Sequence, residues 1–235
     1  MDGLNNMRKL KLGVFVSAFM LLMSSCDRVT SHYVESYIMG YELYDGIHAY
    51  TTTSTDGGIK GIGLSPSIYL DLEFRDDRWK GVLYDSLCFA HGDMDYNRNV
   101  RLLMDNVYID GAPIAFNPNP TSLDVVSDKD FDLRHPAGTS LADVVDVTYM
   151  SYGEYVKSHY TGIEPKEEKT KRMSNLTEDD LFLLSAWILN RTLVDGDLCV
   201  LTFAKAPDNR EEPHNLTITI TTSKKVFTTE CEWTF

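Results

Sequence analysis

The chain has 235 residues, of which 43% are hydrophobic, and its formal net charge is −13 at pH 7. Such an acidic composition argues against binding to nucleic acid or to anionic headgroups, because both need cationic side chains that displace counterions. A chain of this length can bury enough apolar surface to fold without a disulfide framework.

The first 25 residues have the order of a secretory signal peptide. Basic residues in Met7-Arg8-Lys9-Leu10-Lys11 precede an apolar run from Leu12 to Met23, and Ser24-Ser25-Cys26 follow that run. At about 1.5 Å per residue the apolar run covers roughly 18 Å, less than the roughly 30 Å of a bilayer's hydrocarbon core. The run is therefore expected to be a removed leader and not a membrane span.

Met23-Ser24-Ser25-Cys26 resembles the bacterial lipoprotein box. The resemblance implies that Cys26 receives diacylglycerol and becomes the mature N-terminus. Two or more acyl chains hold a protein stably on a membrane, since each buried methylene contributes about 0.8 kcal/mol. Cleavage before Cys26 would remove three basic residues and one acidic residue and bring the formal charge to −15. The alternative is a soluble periplasmic protein that is cut elsewhere, with Cys26 an incidental thiol.

Strand patterns dominate the rest of the chain. Apolar and polar residues alternate over Ile68–Phe74, and again over Leu216–Thr221 and Phe227–Phe235, which together predict a C-terminal hairpin with one wet face. Further strands are predicted at Leu198–Ala204, Val82–Ala90, Val100–Ile109 and part of Tyr33–Tyr44.

Helical signals are confined to one region. Thr177 is a suitable N-cap, and Leu181, Leu184, Trp187 and Ile188 would share one helical face. Ser140–Tyr149 could form a shorter helix, and Lys157–Asn175 reads as a long exposed loop. We therefore expect residues 1–25 to be a signal peptide and residues 26–235 a single, mainly β domain with a helical insertion at about 140–191. A β-sandwich, including an immunoglobulin-like one, is the expected architecture, with an α+β fold as the alternative.

Two sets of residues are expected to lie mainly in the core. Tyr33, Tyr37, Tyr41 and Tyr44 follow the leader, and their spacing favours core packing over an exposed surface that stacks on sugars. Cys199 and Cys231 fall among large apolar residues and are expected to be buried thiols, with a disulfide between them as the alternative.

Asp93, Asp95 and Asn97 alternate like the first ligands of a calcium loop. Arg98 stands where such a loop needs glycine, and Met104 stands where it needs a bidentate glutamate. A polar turn between two strands is therefore the favoured interpretation, and calcium is the only cofactor that the sequence suggests.

A second acidic cluster contains Asp128, Asp130 and Asp132, followed by His135. In an extended segment the three carboxylates would share a face, which suits a cation or acid–base chemistry. A solvated loop is the simpler interpretation. If the chain has a specific contact site, this segment is the first candidate.

Common enzyme motifs are absent from the sequence, including the Gly-x-Ser-x-Gly, His-Glu-x-x-His, Walker and Cys-x-x-Cys patterns. The lipobox leader, the acidic β-rich body and the segment Ser127–Ser140 resemble small uncharacterised lipoproteins of Bacteroidetes. The resemblance implies an outer-membrane location, on either the periplasmic or the surface face, and supplies no catalytic residues. The leading hypothesis is a non-enzymatic module that binds a glycan or an envelope protein. A glycan-acting hydrolase that uses the 128–132 carboxylates is the alternative.

Overall fold

The computed structural model describes residues 29–53, 60–74, 78–103, 113–186 and 196–234. Cys26 and the leader lie outside these ranges. The described residues are mainly β, as predicted. The elements in chain order are β1 (Val29–Val34), β2 (Gly40–Thr53), β3 (Lys60–Glu73), α1 (Arg78–His91), β4 (Arg98–Leu103), β5 (Ile114–Asn117), β6 (Pro120–Ser127), β7 (Val145–Tyr149), α2 (Gly153–Lys157), β8 (Lys169–Arg172), β9 (Cys199–Phe203), β10 (His214–Thr222) and β11 (Val226–Trp233).

The chain forms two compact units. The first comprises residues 1–33 and 99–109, and its described part contains a two-stranded sheet of β1 and β4. The second comprises residues 34–98 and 110–235 and holds all the other elements.

The second unit contains two sheets. One has six strands in the order β5-β2-β3-β9-β7-β8, and the other has three in the order β11-β10-β6. Neighbouring strands are antiparallel except β2 and β5, which are parallel. An immunoglobulin domain is built from two antiparallel sheets of similar size. The six-to-three division and the parallel pair differ from that arrangement.

The larger core lies between the two sheets. The C-terminal hairpin is confirmed, with Leu216 opposite Cys231 and Ile220 opposite Phe227. Its wet and dry faces alternate as predicted, because every second residue of a strand points to the same side. The buried residues that meet between the sheets include Leu216, Ile218, Phe227 and Trp233 from one sheet and Ile62, Leu64, Val147 and Leu201 from the other.

A second core joins α1 to the six-stranded sheet. Tyr84 and Cys88, one helical turn apart, are buried with Tyr41 and Leu43 of β2. The Tyr84 hydroxyl donates to the Ile38 carbonyl at 2.5 Å, which fixes the helix to the chain that enters β2. The larger sheet is therefore covered by the second sheet and by a helix.

Residues 183–186 close the six-stranded sheet on itself. On one side Phe116 N of β5 donates to Leu184 O at 2.9 Å, and on the other Ser185 N donates to Met150 O at 2.9 Å, just beyond β7. A continuous hydrogen-bonded path therefore runs from β2 through β3, β9 and β7 to this segment and back through β5. The closure fixes the position of the chain that leads into α2.

Several local predictions are wrong. Val82–Ala90 lies within α1 and is not a strand. Ser140–Tyr149 is not a helix, since its second half is β7. Within Lys157–Asn175, residues 158–168 form a loop as expected, whereas 169–172 form β8. Residues 178–183 form only a turn, and Trp187 and Ile188 lie outside the described residues.

Other local predictions are confirmed. Ile68–Phe74 coincides with the end of β3, Leu198–Ala204 contains β9, and β4 begins the strand predicted at Val100–Ile109, whose last residues lie outside the described ranges. Tyr37, Tyr41 and Tyr44 are buried, whereas Tyr33 is exposed. Among the described cysteines, Cys88, Cys199 and Cys231 are buried free thiols.

Candidate functional site

Five tyrosines form one aromatic cluster, which we call the tyrosine cluster. The Tyr37 ring is its centre and has ring neighbours at centroid distances of 4.8 to 6.3 Å. Most of these pairs meet edge to face, the arrangement that the ring quadrupole favours. The members are Tyr37, Tyr96, Tyr152, Tyr155 and Tyr160.

The carboxylate of Asp93 anchors this cluster from within the protein. Asp93 is fully buried and accepts hydrogen bonds from Tyr37 N at 2.7 Å, from Ile38 N at 2.8 Å and from the Tyr160 hydroxyl at 2.7 Å. Burial raises the pKa of Asp93, although these three hydrogen bonds oppose the shift. Both carboxylate oxygens are occupied by protein donors, so Asp93 acts as a structural anchor.

The backbone that follows α2 adopts an unusual conformation. His159 and Tyr160 have φ angles of 50° and 60°, in the left-handed region that residues other than glycine seldom occupy. The hydrogen bond from Tyr160 to Asp93 holds this turn in place. Backbone strain of this kind persists only where surrounding contacts enforce it, and it is concentrated at binding and switch regions.

Beside the tyrosine cluster, α2 and the loop after it enclose a groove of about 690 Å³. Tyr155 belongs both to the cluster and to the groove lining. The Tyr37 hydroxyl donates to Glu164 Oε1 at 3.3 Å and so joins the cluster to the groove wall. Pockets of roughly 300 to 1,000 Å³ are typical of small-ligand sites. The lining residues are Ser151, Glu154, Tyr155, Ser158, Gly162, Ile163, Glu164, Pro165, Lys166, Glu167, Glu168 and Lys169.

The groove lining contains more carboxylates than ammonium groups. Lys169 pairs with Glu154 at 2.9 Å, and Lys166 lies 3.3 Å from Glu164. The Lys169 hydrogen bond and charge lower the pKa of Glu154. Glu167 and Glu168 add negative charge to the lining. The carboxylates of this lining can accept hydrogen bonds from ligand hydroxyls, and its ammonium groups can donate to them.

The predicted acidic cluster is not part of this groove, and its carboxylates bind different parts of the chain. Asp128 accepts from Asn215 N at 2.8 Å, and Asp130 accepts from Ala137 N at 2.8 Å. Asp132 accepts from the backbone N of Arg134 at 2.7 Å within its own turn. The structure therefore does not bring the three carboxylates together.

Asp132 and His135 do meet. His135 Nδ1 lies 2.8 Å from Asp132 Oδ1, and its Nε2 lies 2.7 Å from Asp143 Oδ1. Lys205 binds the other oxygen of Asp132, and this contact, followed by those with His135 and the Arg134 backbone, lowers the pKa of Asp132 below its usual range. His135 is buried, so this network stabilises the turn instead of presenting a reactive group.

The remaining members of the calcium-like segment are exposed, in contrast to the buried Asp93. Asp95 is exposed and lies 3.8 Å from His159, and Asn97 is exposed with a φ angle of 50°. Within the described ranges, no group of three or more histidine, cysteine, aspartate or glutamate side chains is arranged to hold a metal ion. Calcium binding stays the untested alternative to a polar turn.

A serine–histidine pair also emerges that sequence reasoning missed. Ser127 Oγ lies 2.8 Å from His214 Nδ1, which resembles the contact of a nucleophile with its base. Both side chains are buried, and a substrate would have no access to the serine hydroxyl. The pair is therefore a structural link between β6 and β10.

Sequence reasoning also missed the groove itself. Its signal was the density of aromatic residues at Tyr149, Tyr152, Tyr155 and Tyr160, just before the charged loop. Comparison of the chain with protein-family models, with curated proteins and with solved structures finds no match to any of them. Among the described residues, no helix combines the length and the apolar character needed to cross a membrane.

Proposed function

We propose that this chain is a lipid-anchored cell-envelope protein whose folded body is a non-enzymatic module that binds a glycan in the groove. The observation that carries the proposal is the groove of about 690 Å³ built against the tyrosine cluster. Tyr155, which is buried and packs against Tyr37, belongs to the groove wall, and a pre-formed site lowers the entropy that binding must offset. The exposed side chain of Ile163 offers an apolar contact for the face of a sugar ring.

The geometry favours binding over hydrolysis. Glycoside hydrolysis needs two carboxyl groups that face each other across the scissile bond, roughly 5 to 10 Å apart. Asp128, Asp130 and Asp132 bind backbone groups outside the groove. Glu154 and Glu164 line the groove, but each is paired with a lysine.

The leader and Met23-Ser24-Ser25-Cys26 support the proposed envelope location, with Cys26 carrying the lipid. Replacement of Cys26 by alanine should release the protein from the membrane fraction. Mass spectrometry of the mature N-terminus from the native host should show a lipidated cysteine. An unmodified N-terminus at another residue would contradict the anchor without affecting the groove.

Binding can be tested on an array of neutral and acidic oligosaccharides, followed by calorimetric titration of the strongest binder. We expect Glu164→Gln and Ile163→Ala each to weaken binding about tenfold, which corresponds to about 1.4 kcal/mol. Glu211→Gln and Leu133→Ala are matched controls, because Glu211 is exposed and Leu133 is as exposed as Ile163, and neither lines the groove. Equal effects of groove and control variants, or the absence of any glycan binder, would turn the proposal toward a protein ligand.

A further inference from the structure

The outer face of α1 carries an apolar stripe. Trp79, Val82 and Phe89 are 59%, 62% and 78% exposed. Successive residues of a helix are rotated by 100°, so Val82 and Phe89, seven residues apart, point in nearly the same direction. That direction is opposite to the face on which Tyr84 and Cys88 are buried. The stripe therefore has no partner among the described core residues.

Three polar side chains share the exposed side of α1 with these apolar residues. Ser86 lies on the same side of the helix, and its hydroxyl donates to the Val82 carbonyl at 2.7 Å. A serine bonded in this way can enter an apolar environment without losing a hydrogen bond. Arg78, four residues before Val82, and Asp85, four residues before Phe89, also lie on this side of the helix and are exposed.

The inner side of the same helix is held firmly. The Tyr84 hydroxyl contacts Ser36 Oγ at 2.5 Å as well as the Ile38 carbonyl. Ser36 follows Cys26 by ten residues in the sequence. A chain of ten residues spans at most about 36 Å. A lipid on Cys26 would therefore keep this helix within a short tether of the bilayer, where the local concentration of lipid is high.

A bilayer fits this stripe better than a second copy of the chain does. A 14-residue helix is about 21 Å long and offers far less than the roughly 800 Å² per partner of a stable protein interface. Tryptophan and phenylalanine are suited to the boundary between headgroups and acyl chains. The acidic net charge favours zwitterionic lipid over anionic lipid.

We infer that the outer face of α1, through Trp79, Val82 and Phe89, lies on a zwitterionic lipid surface as a second membrane contact. This inference rests on the lipid anchor of the proposed function. The contact would set the orientation of the body on the membrane, which a flexible tether alone does not fix.

Fluorescence quenching tests this contact on the lipidated, full-length mature protein. The protein is reconstituted into phosphatidylcholine vesicles with and without bromine on the upper acyl chains. The signal of Trp79 is the difference between the wild type and Trp79→Phe, in which the other tryptophans are unchanged. We expect brominated lipid to quench this signal. The double variant Val82→Glu/Phe89→Glu should lose the quenching while the protein stays on the vesicles through its lipid. Leu133→Glu is the control, because Leu133 is 99% exposed and lies in a turn after β6, outside α1. This variant should leave the quenching unchanged.

The outcomes separate the two proposals. If mass spectrometry finds no lipid on Cys26, the anchor and the membrane contact are both overturned. If the lipid is present but Trp79 is not quenched, only the contact is overturned. Cross-linking of two chains through the helix, with no quenching, would assign the stripe to a second copy instead.

Discussion

At the residue scale, Asp93 is the strongest single determinant of the candidate site. Replacement by alanine would leave two buried backbone N–H groups and the Tyr160 hydroxyl without their acceptor. Each buried donor that loses its partner costs about 1 to 3 kcal/mol, so we expect Asp93→Ala to lower the free energy of unfolding by about 3 kcal/mol or more. Urea denaturation measures this change.

Asp95→Ala is the matched control, because Asp95 is exposed two residues away. It should change the free energy of unfolding by less than about 0.5 kcal/mol. Similar losses in both variants would show that Asp93 is not the anchor. Sequence reasoning selected Asp93 for a polar turn, with a calcium ligand as the alternative. It missed the anchoring role because the donors Tyr37 and Ile38 lie 56 and 55 residues away in the chain and leave no local signal.

His91 should make stability depend on pH. Burial, with a smaller effect of Lys224, lowers the pKa of His91 to about 4. An unfolded histidine has a pKa of about 6.5, so below that pH the unfolded chain takes up this proton first. The contribution of His91 to stability is therefore present above pH 6.5 and is lost as the pH falls toward 4.

Nuclear magnetic resonance can follow the imidazole directly, and we expect His91 to titrate near pH 4. His91→Gln should remove the corresponding part of the loss of stability between pH 6.5 and 4. An imidazole that titrates near 6.5 would mean that the ring, which lies 3.3 Å from the Tyr41 hydroxyl, is in fact solvated.

At the element scale, the secondary-structure elements that could be predicted were those with one solvent-exposed face and one buried face. The hairpin of β10 and β11 alternates cleanly because one face packs on the core and the other meets solvent. In α1 the buried residues Tyr84 and Cys88 have helical spacing. The apolar residues on its outer face, however, remove the difference between an apolar and a polar face that would indicate a helix. Aromatic and β-branched content then made the segment resemble a strand.

The helix predicted from Thr177 shows how tertiary pairing overrides a local signal. Thr177 Oγ1 and Asp180 do form a cap, at 2.9 and 3.3 Å. The turn ends by Leu183, because the next residues pair with β5 and with the chain beyond β7. Capping chemistry was therefore visible in the sequence, but the sheet closure that stopped the helix was not.

The contribution of Tyr84 to the attachment of α1 to the sheet can be tested by mutation. Tyr84→Phe keeps the ring in the core but removes the hydroxyl that contacts Ser36 and the Ile38 carbonyl. We expect a loss of about 1 to 2 kcal/mol in unfolding free energy and faster amide exchange in α1. Ser86→Ala, on the exposed face of the same helix, should have little effect. Unchanged exchange in Tyr84→Phe would show that apolar packing alone holds the helix.

At the scale of the whole molecule, the two cores of the second unit contain all three described thiols. Cys88 lies in the core under α1, and Cys199 and Cys231 lie in the core between the sheets. Burial raises the pKa of Cys88 to about 11 and raises the pKa of Cys199 and Cys231 as well. Neutral, inaccessible thiols do not react with disulfide reagents, because the nucleophile is the thiolate.

The three thiols should therefore report unfolding of these cores. In a Cys26→Ala background, a native protein treated with an aromatic disulfide should label slowly, and the rate should rise with urea in proportion to the unfolded fraction. Leu133→Cys, with a thiol at a fully exposed site, should label at once and serves as the control. Rapid labelling of Cys88 alone would show that α1 opens independently of the sheets. A Cys199–Cys231 disulfide in the purified protein would contradict the free thiols, since these residues lie on strands that do not pair with each other.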